Sequence, residues 1–306
     1  MSRHTRLKGF LAAGLVILCW SGFNIVSRLG GRSALTPFDL TAFRFAVAGI
    51  ILTPIWWRWG RGTLSLSQQI LLTLLGSVGY ASMAYLGFSK APAVHAAILI
   101  NGGIPLMTAL LTALWLKTLP NSYLGLGLLL TALGLLLLGW NDLRMTHQDN
   151  QTLLGDLFFL IATTCWATYG LLLKRWMIPP IVAVSTLAVF SALIYWPIYY
   201  TILPKGIHAA SWNLIILECL YQGIVAAIIA TFCYAYAIQA LGTAIASLTL
   251  AVVPVLTAIL GVIWLNESLS GFVITGVVLV TLGATVGALM SPQHTRPDTS
   301  AQHKRQ

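Results

Sequence analysis

Charged residues are scarce in this sequence, and acidic ones are the scarcest. Only 8% of the 306 residues are charged, with seventeen Lys and Arg but only seven Asp and Glu. A soluble globular domain carries about 25% charged residues. The composition therefore excludes an ordinary soluble domain, and 58% hydrophobic residues are typical of a membrane protein.

Motifs for common chemistries are also missing. The phosphate-binding pattern G-x-x-x-x-G-K-[ST] does not occur, so the chain is not expected to hydrolyse ATP. The apolar runs hold no close Asp pair, Ser-His set or His cluster, and the four cysteines lack C-x-x-C spacing. His95 has no second histidine or acid four residues later. We predict no catalytic residues, no metal and no cofactor.

The net charge of +10 does not indicate a nucleic-acid partner. Its Lys and Arg residues are scattered through loops and tails, whereas nucleic acids bind clustered basic patches. Positive loops stay on the cytoplasmic side of a membrane, and most basic residues fall there if the N-terminus is cytoplasmic. We predict a multi-pass protein of the bacterial inner (plasma) membrane with both termini in the cytoplasm.

Apolar runs follow one another almost from end to end. A helix that crosses ~30 Å of hydrocarbon needs about 20 largely apolar residues, and the sequence supplies ten such runs. The predicted spans are 9–29, 36–57, 68–89, 92–115 and 122–140, then 152–173, 180–201, 212–239, 242–265 and 268–289. No A-x-A cleavage site follows the first span, so we interpret it as an uncleaved helix. Residues 291–306 are predicted to be a disordered basic cytoplasmic tail.

The second half of the sequence repeats the first. An offset of 146 aligns Cys19-Trp20 with Cys165-Trp166, and an offset of 149 aligns Tyr85, Pro105 and Gly134 with Tyr234, Pro254 and Gly283. We predict an all-α fold with five-helix repeats at 9–140 and 152–290. Five helices per copy make the copies inverted, which in transporters places the substrate site near the midplane between the repeats.

At these residues the chain resembles the EamA family of the drug/metabolite transporter superfamily. The resemblance rests on the tryptophan-bearing first helix of each half, on Arg44-Phe45, and on Pro254 followed by Trp264 to Glu267. It implies a ten-helix fold with a central cavity and the export or exchange of small metabolites such as amino acids. Thr118 stands where the family pattern expects an acid like Glu267.

Polar and aromatic residues within the spans are candidates for substrate binding. Trp20 and Asn24 share one face of the first helix, and Trp166 and Tyr169 share the matching face of the sixth. An amide in hydrocarbon needs a partner, and buried phenols usually find one. The alternative is plain helix packing. The predicted substrate-binding residues are Trp20, Asn24, Tyr80, Tyr85, Asn101, Trp166, Tyr169 and Tyr234.

Two prolines and two ionisable residues also lie within spans. Pro105 and Pro254 free backbone carbonyls, which favours hinges, whereas Thr257 nearby is interpreted as a packing residue. Burying Arg44 or Glu218 alone would cost at least ~2.5 kcal/mol. We expect that they pair, or that Glu218 takes up protons or binds a substrate amine; a static pair or snorkelling at the interface is the alternative.

Three acids precede or begin helices and are interpreted as helix-start residues: Asp39, Asp156 and Glu267. Acids at helix N-termini are stabilising. Together with the resemblance, which implies amino acids, related compounds or drugs as substrates, these features favour a secondary transporter that exports small amphipathic metabolites. Protons are the candidate coupling ion. Facilitative uptake or exchange is the alternative, and an intramembrane enzyme or a channel would require groups that the sequence lacks.

Overall fold

A computed structural model describes residues 3–60, 64–116, 122–145, 151–241 and 243–290, and in these residues it contains no strand. Helices α1 to α4 and α6 to α8 are long and apolar enough to cross a membrane, while the described apolar stretches of α5, α9 and α10 are shorter. The helices are α1 (Arg3–Gly31), α2 (Pro37–Gly60), α3 (Leu66–Lys90), α4 (Ala93–Trp115), α5 (Ser122–Met145), α6 (Gln151–Arg175), α7 (Pro180–Thr201), α8 (Trp212–Leu241), α9 (Thr243–Leu265) and α10 (Gly271–Met290). The tail at 291–306 lies outside the described residues.

Capping side chains set where helices begin. Thr36 and Asp39 form a reciprocal capping box at the start of α2, with Pro37 in its first turn, so the helix-start prediction for Asp39 is confirmed. The prediction for Asp156 is wrong. The helix α6 begins at Gln151, so Asp156 lies in its second turn, where most backbone donors already have helical partners.

Four helices contain wider π-helical turns, which the sequence did not predict. They lie at Trp56–Gly60, Leu74–Gly79, Ala97–Gly102 and Tyr221–Ile229. The offset of 149 moves the turn in α3 into the turn in α8. Such turns often mark functional sites, and each extra residue rotates the side chains that follow onto a different face.

The ends of several helices meet at one pole of the bundle, which we call the Gly31 end. Arg28 near the end of α1 donates to the carbonyl of Phe88 in α3 at 2.7 Å, and Arg32 donates to that of Leu265 in α9 at 2.9 Å. At the same pole, the Thr36 hydroxyl before α2 donates to the carbonyl of Pro204 after α7 at 3.1 Å. Helices α1, α3, α7 and α9 therefore end at the pole where α2 begins.

Helix packing relates the two halves reciprocally. Helix α1 packs on α8 and α9, and the matching helix α6 packs on α3 and α4. The last helices of the halves, α5 and α10, run antiparallel in contact. A Cβ atom at Gly127 would lie 2.5 Å from the Gly283 oxygen, and one at Gly134 would lie 2.9 Å from the Gly276 oxygen. Because the offset of 149 exchanges these two contacts, the α5–α10 interface repeats itself about its centre.

Candidate functional site

A central cavity of about 160 Å³ lies between the two halves. An apolar cavity of ~150 Å³ is large enough to hold benzene, so this one has room for a small organic molecule. Helices α1, α2, α3, α4, α6 and α8 all contribute to its wall. The lining residues are Trp20, Phe23, Asn24, Arg44, Tyr80, Ile100, Asn101, Ile104, Trp166, Ala226, Thr231 and Tyr234.

Aromatic pairs form two opposite parts of the wall. The rings of Trp20 in α1 and Tyr234 in α8 lie 5.1 Å apart, and those of Trp166 in α6 and Tyr80 in α3 lie 4.7 Å apart. Each pair thus joins a tryptophan of one half of the chain to a tyrosine of the other half. Indole and phenol rings offer an apolar face with a polar edge, which suits an amphipathic ligand.

Asn24 organises the polar part of the cavity. Its amide nitrogen donates to the Thr257 hydroxyl at 3.1 Å and lies 3.4 Å from the Asn101 carbonyl oxygen. Three helices, α1, α4 and α9, therefore converge on one amide. Thr257 is a hydrogen-bonding partner and not only the packing residue that its sequence context favoured. Hydroxyl and amide side chains join transmembrane helices in this way.

Tyr169 lies in a side recess and not in the main cavity. The recess has a volume of about 50 Å³ and shares Arg44, Trp166 and Thr231 with the main cavity. Thr231 was not among the sequence-predicted residues. It could have been found, because it lies three positions before Tyr234 and thus on the same helical face.

Arg44 and Glu218 make no ion pair with each other among the residues that the structure describes, so the pairing hypothesis is wrong. The Arg44 guanidinium lies 5.6 Å from the centre of the Phe23 ring and lines the cavity. The Glu218 carboxylate accepts from the Gln222 amide at 2.8 Å and packs against Gly30. Similar depth along two helices does not place their side chains on facing sides.

Tyr85 does not line the cavity, although its sequence counterpart Tyr234 does. It is fully buried and donates to the Gln222 carbonyl oxygen at 2.8 Å. The Gln222 amide in turn donates to Ser27 at 3.1 Å as well as to Glu218. The π-helical turn that ends at Gly79 precedes Tyr80 directly, and Tyr80 takes the position facing Trp166. Neither Gln222 nor this network was predicted.

Aromatic side chains fill the space between the cavity and the Gly31 end. The rings of Phe23 and Phe88 lie 5.7 Å apart, and those of Phe88 and Phe159 lie 5.1 Å apart. Phe88 stands two residues before the end of α3, and it and Phe159 are fully buried. The cavity is therefore closed toward the Gly31 end.

Contacts between polar and charged side chains join the helices at the same end. Arg28 Nε lies 3.4 Å from Glu267 Oε1, and both carboxylate oxygens of Glu267 accept from the Ala93 amide at 3.0 Å. Glu267 thus caps α4. Its position in the sequence had suggested that it would cap its own helix, α10. His95 Nδ1 lies 3.0 Å from Asp156 Oδ1, which joins α4 of the first half to α6 of the second.

This arrangement defines an integral membrane protein built around a solute-sized central cavity, and the comparisons with known proteins agree. The EamA-like transporter family matches residues 7–140 and 153–288. The chain belongs to this family, whose members are membrane transporters. A curated relative from Bacillus subtilis (strain 168), "Uncharacterized transporter YyaM", is 24% identical and covers 94% of this chain and 96% of its own length.

A solved structure described only as "Crystal structure of protein" has the same fold. Its TM-score is 0.63 at 20% sequence identity, and the match covers 94% of this chain and 99% of the other. Transport across a membrane implies a small-molecule substrate and a lipid bilayer around the protein. The coarse prediction of a membrane transporter of the EamA family is confirmed.

Proposed function

We propose that the protein exports small amphipathic metabolites, such as amino acids and related compounds, across the inner membrane by alternating access. The observation that carries this proposal is the central cavity itself. Both halves line it, with matching aromatic pairs from equivalent helices. Transporters built from repeats bind substrate at such an interface and move it by rocking one repeat against the other.

Three observations support an inverted repeat of five plus five helices, with units at 9–140 and 152–290. The family matches the chain twice, once in each half. Equivalent helices pack reciprocally, and the two glycine contacts between α5 and α10 exchange under the repeat offset. Since α5 and α10 are antiparallel equivalents, one half points opposite to the other.

The structure fits one state of an alternating cycle. With the N-terminus in the cytoplasm, as the basic residues favour, the Gly31 end faces outward. That end is sealed by the Phe88 layer and by the Arg28–Glu267 and His95–Asp156 pairs. Export then requires these contacts to separate while the cytoplasmic end closes. Pro105, three residues after a π-helical turn, and Pro254, within α9, remain our predicted hinges.

A two-stage experiment tests the proposal. Overexpression should protect cells against toxic amino-acid analogues or small drugs that the protein exports. The protected compound is then used in counterflow with proteoliposomes, where a carrier exchanges labelled for unlabelled solute. Trp20→Ala should abolish protection, whereas Trp115→Ala, at a half-exposed tryptophan outside the cavity, should not.

The outcomes separate the alternatives. Protection with counterflow supports export by a carrier, while increased sensitivity with counterflow would replace export by uptake or exchange. Solute flux without counterflow would indicate a channel. Absence of both protection and flux across the whole panel would contradict the transport proposal for these substrates.

A further inference from the structure

The charge of the cavity wall narrows the substrate class beyond the proposed function. Arg44 is the one charged residue among the described residues that line the central cavity, and it also lines the side recess. Asp39, Asp156, Glu218 and Glu267, the acids whose side chains the structure describes, all lie outside both sets of lining residues. The cavity therefore carries a positive charge that no acid in its wall neutralises.

The contacts of Arg44 leave this charge available to a ligand. Its guanidinium lies over the Phe23 ring, 5.6 Å from the ring centre, and also interacts with the uncharged Tyr85 hydroxyl. No ion pair joins it to an acid in the part of the chain that the structure describes. Glu218, the other ionisable group singled out within the spans, is held by Gln222. A guanidinium presents a rigid fork of donors that matches a carboxylate.

The remaining wall selects against other ligands. Aromatic rings such as Trp20, Tyr234 and Trp166 also attract organic cations, but a cation here would meet the charge of Arg44 without an acid to balance it. A multiply charged anion would find one cation only. The amides of Asn24 and Asn101 provide uncharged polar contacts, and the aromatic pairs provide an apolar wall.

We propose that Arg44 anchors the carboxylate of the substrate, and that the transported compounds are small monocarboxylates with an apolar or aromatic body. The carboxylate binds the guanidinium, and the body lies between the Trp20–Tyr234 and Trp166–Tyr80 pairs. This inference rests on the proposed function, since it assigns the substrate class of the same cavity.

Binding of three compounds with one apolar body tests the inference. Phenylpropionate, phenylpropylamine and phenylpropanol are measured against the full-length protein in nanodiscs by equilibrium dialysis. Charge-assisted hydrogen bonds favour the carboxylate by at least about tenfold in affinity. Arg44→Gln should remove this preference by weakening carboxylate binding alone, and Arg44→Lys should retain part of it. Arg58→Gln, outside the cavity, should leave all three affinities unchanged.

Comparing the binding of the three compounds to the wild-type protein does not depend on the folding of any variant. Equal or tighter binding of the amine or the alcohol, or no binding of phenylpropionate, would overturn the inference, as would a preference that survives Arg44→Gln. Such results would leave the export proposal intact as long as the protein exchanges another solute in counterflow. Failure of counterflow with every solute contradicts the export proposal, so the two failures are distinguishable.

Discussion

Arg28 at the end of α1 and Glu267 before α10 form an ion pair with Nε and Oε1 3.4 Å apart. By the repeat offsets, their counterparts in the other half are Lys174 and Thr118. A lysine and a threonine cannot reproduce an ion pair. The equivalent positions of the other half therefore cannot form this ion pair, and in the proposed alternating cycle we expect the two ends of the molecule to differ.

Glu267→Gln should open the Gly31 end more often. The change removes the charge that attracts Arg28 and weakens the cap on α4, and a charge-assisted hydrogen bond is worth about 1.5–3 kcal/mol. We expect a cysteine at Thr231, in a background without the four native cysteines, to react about tenfold faster with a membrane-impermeant maleimide added outside. Ser268→Ala, at the exposed neighbouring residue, is the control. Unchanged labelling would contradict a closing role for the ion pair.

The His95–Asp156 contact should contribute to stability as a pair. Both side chains are buried, at 3% and 5% exposure, and removing one partner breaks this buried hydrogen-bonding contact, at a cost of about 1–3 kcal/mol. His95→Gln and Asp156→Asn should each lower the melting temperature in detergent, and the double variant should lose less than the sum. Strictly additive losses would show that the two residues act independently.

Substitutions at Tyr85 and Tyr234 should separate an effect on stability from an effect on ligand binding. Tyr85→Phe removes the hydrogen bond to Gln222 outside the cavity, so it should cost about 1 kcal/mol of stability. It should change ligand affinity less than Tyr234→Ala does, because Tyr85 interacts with Arg44 but does not line the cavity. Tyr234→Ala removes an aromatic wall of the cavity and should weaken binding of the transported compound. Calorimetry with that compound and thermal melting make both measurements. Reduced affinity in Tyr85→Phe without loss of stability would place Tyr85 at the site after all.

Gly134→Ala should destabilise the α5–α10 interface. The new methyl group would lie 2.9 Å from a backbone oxygen of α10, which cannot rotate away, and overpacking costs about 1–3 kcal/mol. Gly125→Ala in the same helix meets nothing within 4 Å and should be neutral or slightly stabilising. Thermal unfolding of the two variants side by side makes the comparison. Equal melting temperatures would mean that the helices separate easily.

The sequence predicted the helices and much of the site because both depend on regular periodicity. Trp20, Asn24, Asn101 and Trp166, chosen from apolar runs and helical spacing, all line the central cavity, and their role in substrate binding stays a prediction. The failures concern irregular geometry. A π-helical turn leaves no clear residue signature, so the sequence could not show that Tyr80 lines the cavity whereas Tyr85 does not.

Partners that are distant in the chain were the other source of error. Glu267 caps α4 across 174 residues, and periodicity says nothing about which helix end a loop side chain will reach. Arg44 and Glu218 were expected to pair because burying either charge alone is costly. They do not pair, because their side chains point in different directions around the helix axes. Only the packing of α2 and α8 fixes these directions.

The glycine contacts between α5 and α10 have a consequence for motion. The two backbones are in direct contact at two points that lie seven residues, or two helical turns, apart. They cannot slide past each other without collision, since the repulsion rises steeply at these distances. We therefore expect α5 and α10 to keep the same position relative to each other throughout the transport cycle, while the other helices move around them. We expect a covalent crosslink between α5 and α10 to leave transport intact, whereas one across the Gly31 end should stop it.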